Sequence, residues 1–238
     1  MPVTDIWIYL LEGPLVWLTL TILAYLVGDA LFKASGGKTT VNPVLIAIIL
    51  LSGLLLATDT PYGTYFEGAQ FVHFLLGPAT VSLALPLYWN RHLILRTALP
   101  MVAALLAGSL VSMLTALGVG WLLGLQGVSL LSLGPKAATS PIAIGVAEKI
   151  GAAPSLTAAL VILTGILGAV IVTPLFNALG VKDYRARGFA TGVSASGIGT
   201  ARALQVHPTA GAFAGIGMGM NAVFTALAAP YIIGWLFA

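Results

Sequence analysis

The sequence predicts an all-α polytopic membrane protein, with about seven transmembrane segments and a re-entrant hairpin. Three observations predict it. Of 238 residues, 59% are hydrophobic and only 7% are charged, against about a quarter charged in a soluble domain. The mean hydropathy is +1.04. Charge-free windows run over 13–28, 39–58, 68–90, 97–135, 150–181 and 203–238, with a shorter one at 188–201, and a bilayer-crossing helix needs about 20 mostly apolar residues.

Composition also excludes. The net charge of +3 comes from ten basic residues spread along the chain, so no dense basic patch offers itself to nucleic acid. There is no cysteine, hence no disulfide, thiolate metal site or thiol catalysis. No metal-binding pattern, cofactor loop or hydrolytic triad stands out, and the sequence predicts no enzyme. Asp5 and Glu12 replace the basic n-region of a signal peptide, so the first segment is expected to stay.

Helices are predicted near 12–32, 41–58, 65–89, 96–124, 155–179, 185–206 and 209–236, all within one domain spanning 1–238. Residues 127–150, "GVSLLSLGPKAATSPIAIGVAEKI", remain. Basic residues gather on cytoplasmic loops. Lys33 and Lys38 separate spans one and two, Arg91 and Arg96 spans three and four, and Lys182, Arg185 and Arg187 spans five and six. With the N-terminus outside, all three loops are cytoplasmic only if 127–150 enters and leaves on the outer side, as a re-entrant hairpin.

A symmetry follows. Spans two to four and five to seven run in opposite senses, giving a first half (1–126) and an inverted half (127–238). Span three is interrupted at "LLGPATVS" (75–82) and span six at "SASGIGT" (194–200). Matched interruptions in opposed halves are the sequence mark of an inverted-repeat transporter.

A broken membrane helix exposes N–H groups and a partial positive charge at the start of its second half, which suits an anion. Gly77 and Pro78 break span three, and Thr80 starts the next half. In span six Gly197 and Gly199 unwind the chain. Ser194, Ser196 and Thr200 add hydroxyls, and Arg202 adds a cation suited to a two-point grip on a carboxylate. The hairpin brings Lys136, with Thr139 and Ser140 placed to cap the helix after Pro141. Plainer readings stand beside these: small residues as packing surface, Arg202 snorkelling to an interface and Lys136 as an anchor. Packing is the stronger reading for Gly211, Gly215 and Gly219. His73 shares a helix face with Glu67 and Gln70; it is either a proton relay or, more simply, a hydrogen bond to a neighbouring helix.

The stretches "NPVLIAIIL" (42–50), "YFEGAQFVHFLLGPATVSLALPLY" (65–88), "LGPKAATSPIA" (133–143), "PSLTAALVILTGILGAV" (154–170) and "ARGFATGVSASGIGTARAL" (186–204) resemble the LrgB/CidB family of bacterial membrane proteins. The resemblance covers the chain from about Pro14 onward. It implies two accounts. In one, the protein is a secondary carrier of small monocarboxylates such as glycolate, glycerate or pyruvate, since the plastidial glycolate/glycerate transporter is similar to an LrgA-like and an LrgB-like part fused. In the other, it is an antiholin-like regulatory subunit that modulates murein hydrolase export and autolysis. Either account implies a small LrgA/CidA-like partner and the bacterial cytoplasmic (inner) membrane. A homodimer is expected from the architecture of carriers that move against a fixed scaffold. Where many members read "SHGIGTARA" this chain has Ser196 in place of His. That departure bears on proton coupling at this position and leaves the anion-binding backbone geometry unaffected.

Overall fold

The computed structural model describes residues 13–38, 40–75, 78, 88 and 91–237, without the side chains of His73, Leu93 and Ile94. The chain forms two compact units, Met1–Ser82 and Leu83–Ala238. Among the described residues all regular structure is helical. Four helices among the described residues are long and apolar enough to cross a membrane: Pro14–Ala34, Ala98–Leu122, Pro154–Ala178 and Pro208–Phe237.

In the first unit, α1 (Pro14–Ala34) packs against α2 (Pro43–Ala57) and α3 (Tyr62–Phe74). Asn42 caps α2 by accepting from the Val44 and Leu45 N–H groups at 2.9 and 3.1 Å, and Pro43 sits where a missing N–H costs nothing. Trp17 is fully buried and meets Tyr65 edge-on, centroids 5.8 Å apart. Glycine is required at Gly28, where a Cβ would stand 2.5 Å from the Pro43 carbonyl oxygen. The predicted third span continues past α3 into "LLGPATVS", most of which lies outside the described residues, as do Gly77 and Thr80.

The second unit holds α4 (Arg91–Arg96), α5 (Ala98–Leu122), α6 (Gly127–Leu131), α7 (Ser140–Lys149), α8 (Pro154–Ala178), α9 (Tyr184–Val206) and α10 (Pro208–Phe237). On α5 the buried residues Met101, Leu105, Ser109, Met113 and Leu117 recur every fourth position, a single stripe down one face. That stripe runs parallel to α10. Met101 and Leu105 cluster with Phe213 and Ile216, and Met113 and Leu117 with Ala229 and Ile233.

The segment 127–150 leaves and returns at the same end of this unit. Leu130 packs with Leu117 and Ile233, and on the way back Val146 joins that same cluster. Lys149 lies 6.0 Å over the Tyr231 ring. Between them, residues 132–139 form an irregular tip.

Helix α9 departs from the sequence prediction. A crossing helix of 23 residues would separate its ends by about 34 Å. Instead the Tyr184 ring stacks on His207, centroids 4.2 Å apart. Ser196 carries φ 52° and ψ −143°, so the helix is interrupted there. A Cβ on Gly199 would stand 3.1 Å from Thr191 Cγ2, eight residues earlier; a straight helix would separate these positions by about 12 Å. The predicted sixth span is therefore a second hairpin. Its first arm (184–195) lies parallel to α10, with Gly188 against Ala210 and Gly192 against Ala214, and its second arm (197–206) returns antiparallel, with Leu204 against Gly211. The cause is local: one residue in the left-handed region reverses the chain, and the small residues of "GVSASGIG" let two arms and α10 touch by their backbones.

The correction propagates. The seven-crossing scheme loses its sixth member, and α8 and α10 run in opposite directions instead of the same one. The packing glycines also differ in part from expectation. Gly211 packs on Leu204, but the close seam is Gly188, Gly192 and Gly217, while Gly219 faces open space.

Candidate functional site

The two hairpins of the second unit enter from opposite ends, and their tips meet near the middle of α5 and α10. Asn221, in the middle of α10 and 1% exposed, joins them. Its Nδ2 donates to the Ala137 carbonyl of the first tip at 2.9 Å. It also donates to the Val193 carbonyl of the second hairpin at 3.0 Å. A continuous helix would pair that carbonyl with the Gly197 N–H. Asn221 Oδ1 accepts from the Ser109 hydroxyl of α5 at 2.7 Å, so the amide is satisfied on both sides, as burial demands.

Beside the tips lies a cavity of about 1110 Å³. Its walls are α5 (Met101, Ala104, Gly108), α8 (Leu167, Ile171, Leu175) and the first arm of the second hairpin (Phe189, Val193). One end carries Asp183 and Arg185, ion-paired at 2.6 Å. At the level of the tips the lining turns polar, with Lys136, Ser112, Thr164 and Ser194. Arg185, through its side-chain and backbone N–H groups, holds the Asp183 carboxyl below its usual range. Asp183 also caps α9 by accepting from the Arg185 N–H at 2.8 Å.

The predicted site residues separate on this frame. Lys136 and Ser194 line one cavity. The turn occurs at Ser196, one residue before the glycines expected to unwind the chain. Gly197 is exposed, and Gly199 provides room for Ala195 and Thr191. Thr200 donates to the Ser196 carbonyl at 2.8 Å, so its hydroxyl closes the turn. Thr139 occupies the cap position of α7 but its side chain makes no cap bond, and Ser140 is the first helical residue. Arg202 is half-buried on the returning arm, 3.4 Å from Gln205 Oε1, and is not among the cavity's lining residues. Pro78 belongs to the first unit; Gly77, Thr80 and the His73 side chain lie outside what is described.

Sequence reasoning passed over Asn221, Ser109, Ser112 and Thr164. The signal for Asn221 was present: an amide in the middle of a long apolar segment needs partners there. Among the described residues no three His, Asp or Glu side chains gather as a metal site would require.

The LrgB-like family matches residues 21–235 of the chain. "Uncharacterized protein YwbG" of Bacillus subtilis is 34% identical over 93% of this chain and 98% of its own length. "Holin-like protein CidB" of Staphylococcus epidermidis is 28% identical over 90% and 93%. "Antiholin-like protein LrgB" of Bacillus cereus is 26% identical over 94% and 97%. No solved structure matches the chain.

Proposed function

Because the chain belongs to the LrgB-like family, we propose that it is a multi-pass membrane subunit that works beside a small LrgA/CidA-like membrane protein, and that its own activity is the passage of a small organic anion. The relatives' names, holin-like and antiholin-like, support the first part more directly than any particular cargo. Under that reading alone the protein modulates murein hydrolase export and autolysis with its partner and has no transport cycle.

The observation that carries anion passage is the cavity that runs from the Asp183–Arg185 pair to Lys136 and the hydroxyls of Ser112, Thr164 and Ser194. Unpaired backbone is tolerated in a membrane only where it faces protein, water or ligand. Two hairpin tips meeting at mid-bundle are such a place. Lys136 supplies the charge for a carboxylate, and the three hydroxyls supply hydrogen bonds. The tip residues Ser196, Gly197, Gly199 and Thr200 shape the turn that presents Ser194. A carboxylate of the glycolate, glycerate or pyruvate kind is the simplest cargo. The basic end of the unit, with Arg91, Arg96, Lys182, Arg185 and Arg187, would face the cytoplasm. The membrane would be the bacterial cytoplasmic one, and a homodimer would provide the fixed scaffold for movement.

The test is uptake of labelled glycolate, glycerate and pyruvate by protein in liposomes, with and without the LrgA/CidA-like partner. Anion passage predicts uptake that falls at least about tenfold in Lys136→Met, the scale of one lost charge-assisted contact. Absence of uptake in both preparations, with insertion verified, leaves the regulatory reading alone.

A further inference from the structure

Asn221 bonds the residue adjacent to each of the two predicted site residues that reach the cavity. Ala137, whose carbonyl it holds at 2.9 Å, follows Lys136 in the chain. Val193, whose carbonyl it holds at 3.0 Å, precedes Ser194. These bonds connect two hairpins that come from opposite ends of the unit and are otherwise separate in sequence. Ser109 donates to the amide oxygen, Oδ1, at 2.7 Å, with Thr225 Oγ1 at 3.5 Å on the same oxygen. Both amide hydrogens are thus committed to the tips.

We propose that Asn221 is the positioning residue of the anion site: by holding the Ala137 and Val193 carbonyls it fixes Lys136 and Ser194 relative to each other and makes the two tips one unit. The role of Lys136 and Ser194 rests on the reading above; the joining of the tips does not. Asn221 is buried behind the cavity lining and touches no cargo. The start of the 132–139 tip is tied to its surroundings at Ser132, whose hydroxyl oxygen accepts from the Ala153 N–H at 3.1 Å and whose carbonyl accepts from the Thr157 hydroxyl at 3.4 Å. The Lys136 N–H reaches the Leu133 carbonyl at 3.4 Å and the Ala138 N–H reaches Pro135 at 3.0 Å. Asn221 supplies the hydrogen bond that ties the Ala137 end of the tip to α10. Loss of that donor leaves two buried carbonyls unsatisfied and shifts the tip toward open states by about tenfold to a hundredfold.

The chain contains no cysteine, so single reporters are clean. Ala137→Cys reads the tip. Ala229→Cys, fully buried on α10, reads general loosening. Each is combined with Asn221→Asp, which keeps the volume and replaces the two amide donors by at most one O–H, so that the two carbonyls cannot both be held. Each is also combined with Ser109→Ala, which spares both tip bonds. Labelling by an impermeant maleimide is expected to rise about tenfold or more at Ala137→Cys in the Asn221→Asp background. It should stay unchanged at Ala229→Cys, and at both reporters with Ser109→Ala. Should Asn221→Asp fail to fold, Asn221→Ser, which keeps one shorter donor, reads the same contrast.

Uptake of labelled pyruvate separates positioning from packing: KM rises by the same factor while the maximal rate changes less. No rise at Ala137→Cys, or an equal rise at Ala229→Cys, overturns the proposal. Absence of uptake by the unmodified protein removes the anion reading, while the labelling contrast still decides whether Asn221 holds the tips.

Discussion

The Tyr184 ring lies flat on the His207 imidazole, centroids 4.2 Å apart and planes within 4°. Tyr184 opens a 23-residue helical stretch and His207 caps its far end, so their contact is possible only if the stretch folds back on itself. The stack ties the bases of the two arms, as Asn221 ties their tip to the first hairpin. His207 adds a further tie: its Nδ1 accepts from the Thr209 N–H at 3.1 Å, at the start of α10.

The reversal predicts a crosslink. With Tyr184→Cys and His207→Cys in the otherwise cysteine-free chain, a short bifunctional thiol reagent should join the two positions within one molecule. The pair Tyr184→Cys and Ser196→Cys, about 18 Å apart along the first arm, should remain unjoined. Electrophoretic mobility after proteolysis between the positions reads the result. Failure of the first pair to join, with the second pair free as well, would mean a continuous helix.

Ser196 is held at φ 52° and ψ −143°, a conformation open to glycine and strained by about 1–3 kcal/mol for other residues. Ser196→Gly should therefore stabilise the protein by about 1 kcal/mol despite the added backbone freedom. Ser196→Val should destabilise it by about 2 kcal/mol, because a β-branched side chain is least tolerant of positive φ. Thermal unfolding in detergent orders the three; a wild type more stable than the glycine variant would refute the strain.

The seam between the second hairpin and α10 discriminates among glycines. A Cβ at Gly192 would overlap the Ala214 carbonyl, a backbone atom that cannot step aside, while Gly219 has nothing within 4 Å. Gly192→Ala should cost about 3 kcal/mol, at the upper end of overpacking, or prevent folding. Gly219→Ala should be neutral or gain up to about 1 kcal/mol of helix propensity. Equal effects at the two positions would sink this assignment.

Much of the architecture was legible. The predicted 96–124, 155–179 and 209–236 lie within two residues of Ala98–Leu122, Pro154–Ala178 and Pro208–Phe237, because charge-free length fixes where a helix can run. The segment 127–150 was legible as a hairpin because the basic loops on either side of it belong together. The reversal at Ser196 was not. Periodicity continues through "GVSASGIGT" on both arms, and one residue's φ carries no signature in composition. Asn221 was missed for a different reason: its meaning depends on carbonyls of residues 28 and 84 positions away, which a linear reading does not bring together.

Asp183 supplies a pH dependence whose sign is fixed. Its carboxyl is held below the usual range by Arg185, so its contribution is complete above the unfolded value, near about 3.9. That contribution is lost as pH falls through the lower, folded value. Asp183→Asn keeps a capping acceptor and loses the ion pair, so the stability gap between wild type and variant should close below about pH 4. The gap itself should be small, since the pair is solvent-exposed and exposed pairs contribute little. A gap that widens on acidification would mean that Asp183 is not ionised in the folded state.

Arg202 carries the last prediction, because the hairpin changes what it is near. On a crossing helix it would approach the end opposite to Lys182, Arg185 and Arg187. On the returning arm it lies four residues before Val206, the end of α9, and so on the same side as those three. It is not a lining residue of the cavity that holds Lys136. Its charge then belongs to the basic end of the unit, and among the described residues Lys136 is the cation that lines the cavity at the level of the tips. Arg202→Gln should therefore leave KM for a carried anion within about twofold, against tenfold or more for Lys136→Met. The measurement is the pair of KM values in the same liposomes. A larger rise for Arg202→Gln than for Lys136→Met would place the anion on the second arm and move the site off the cavity.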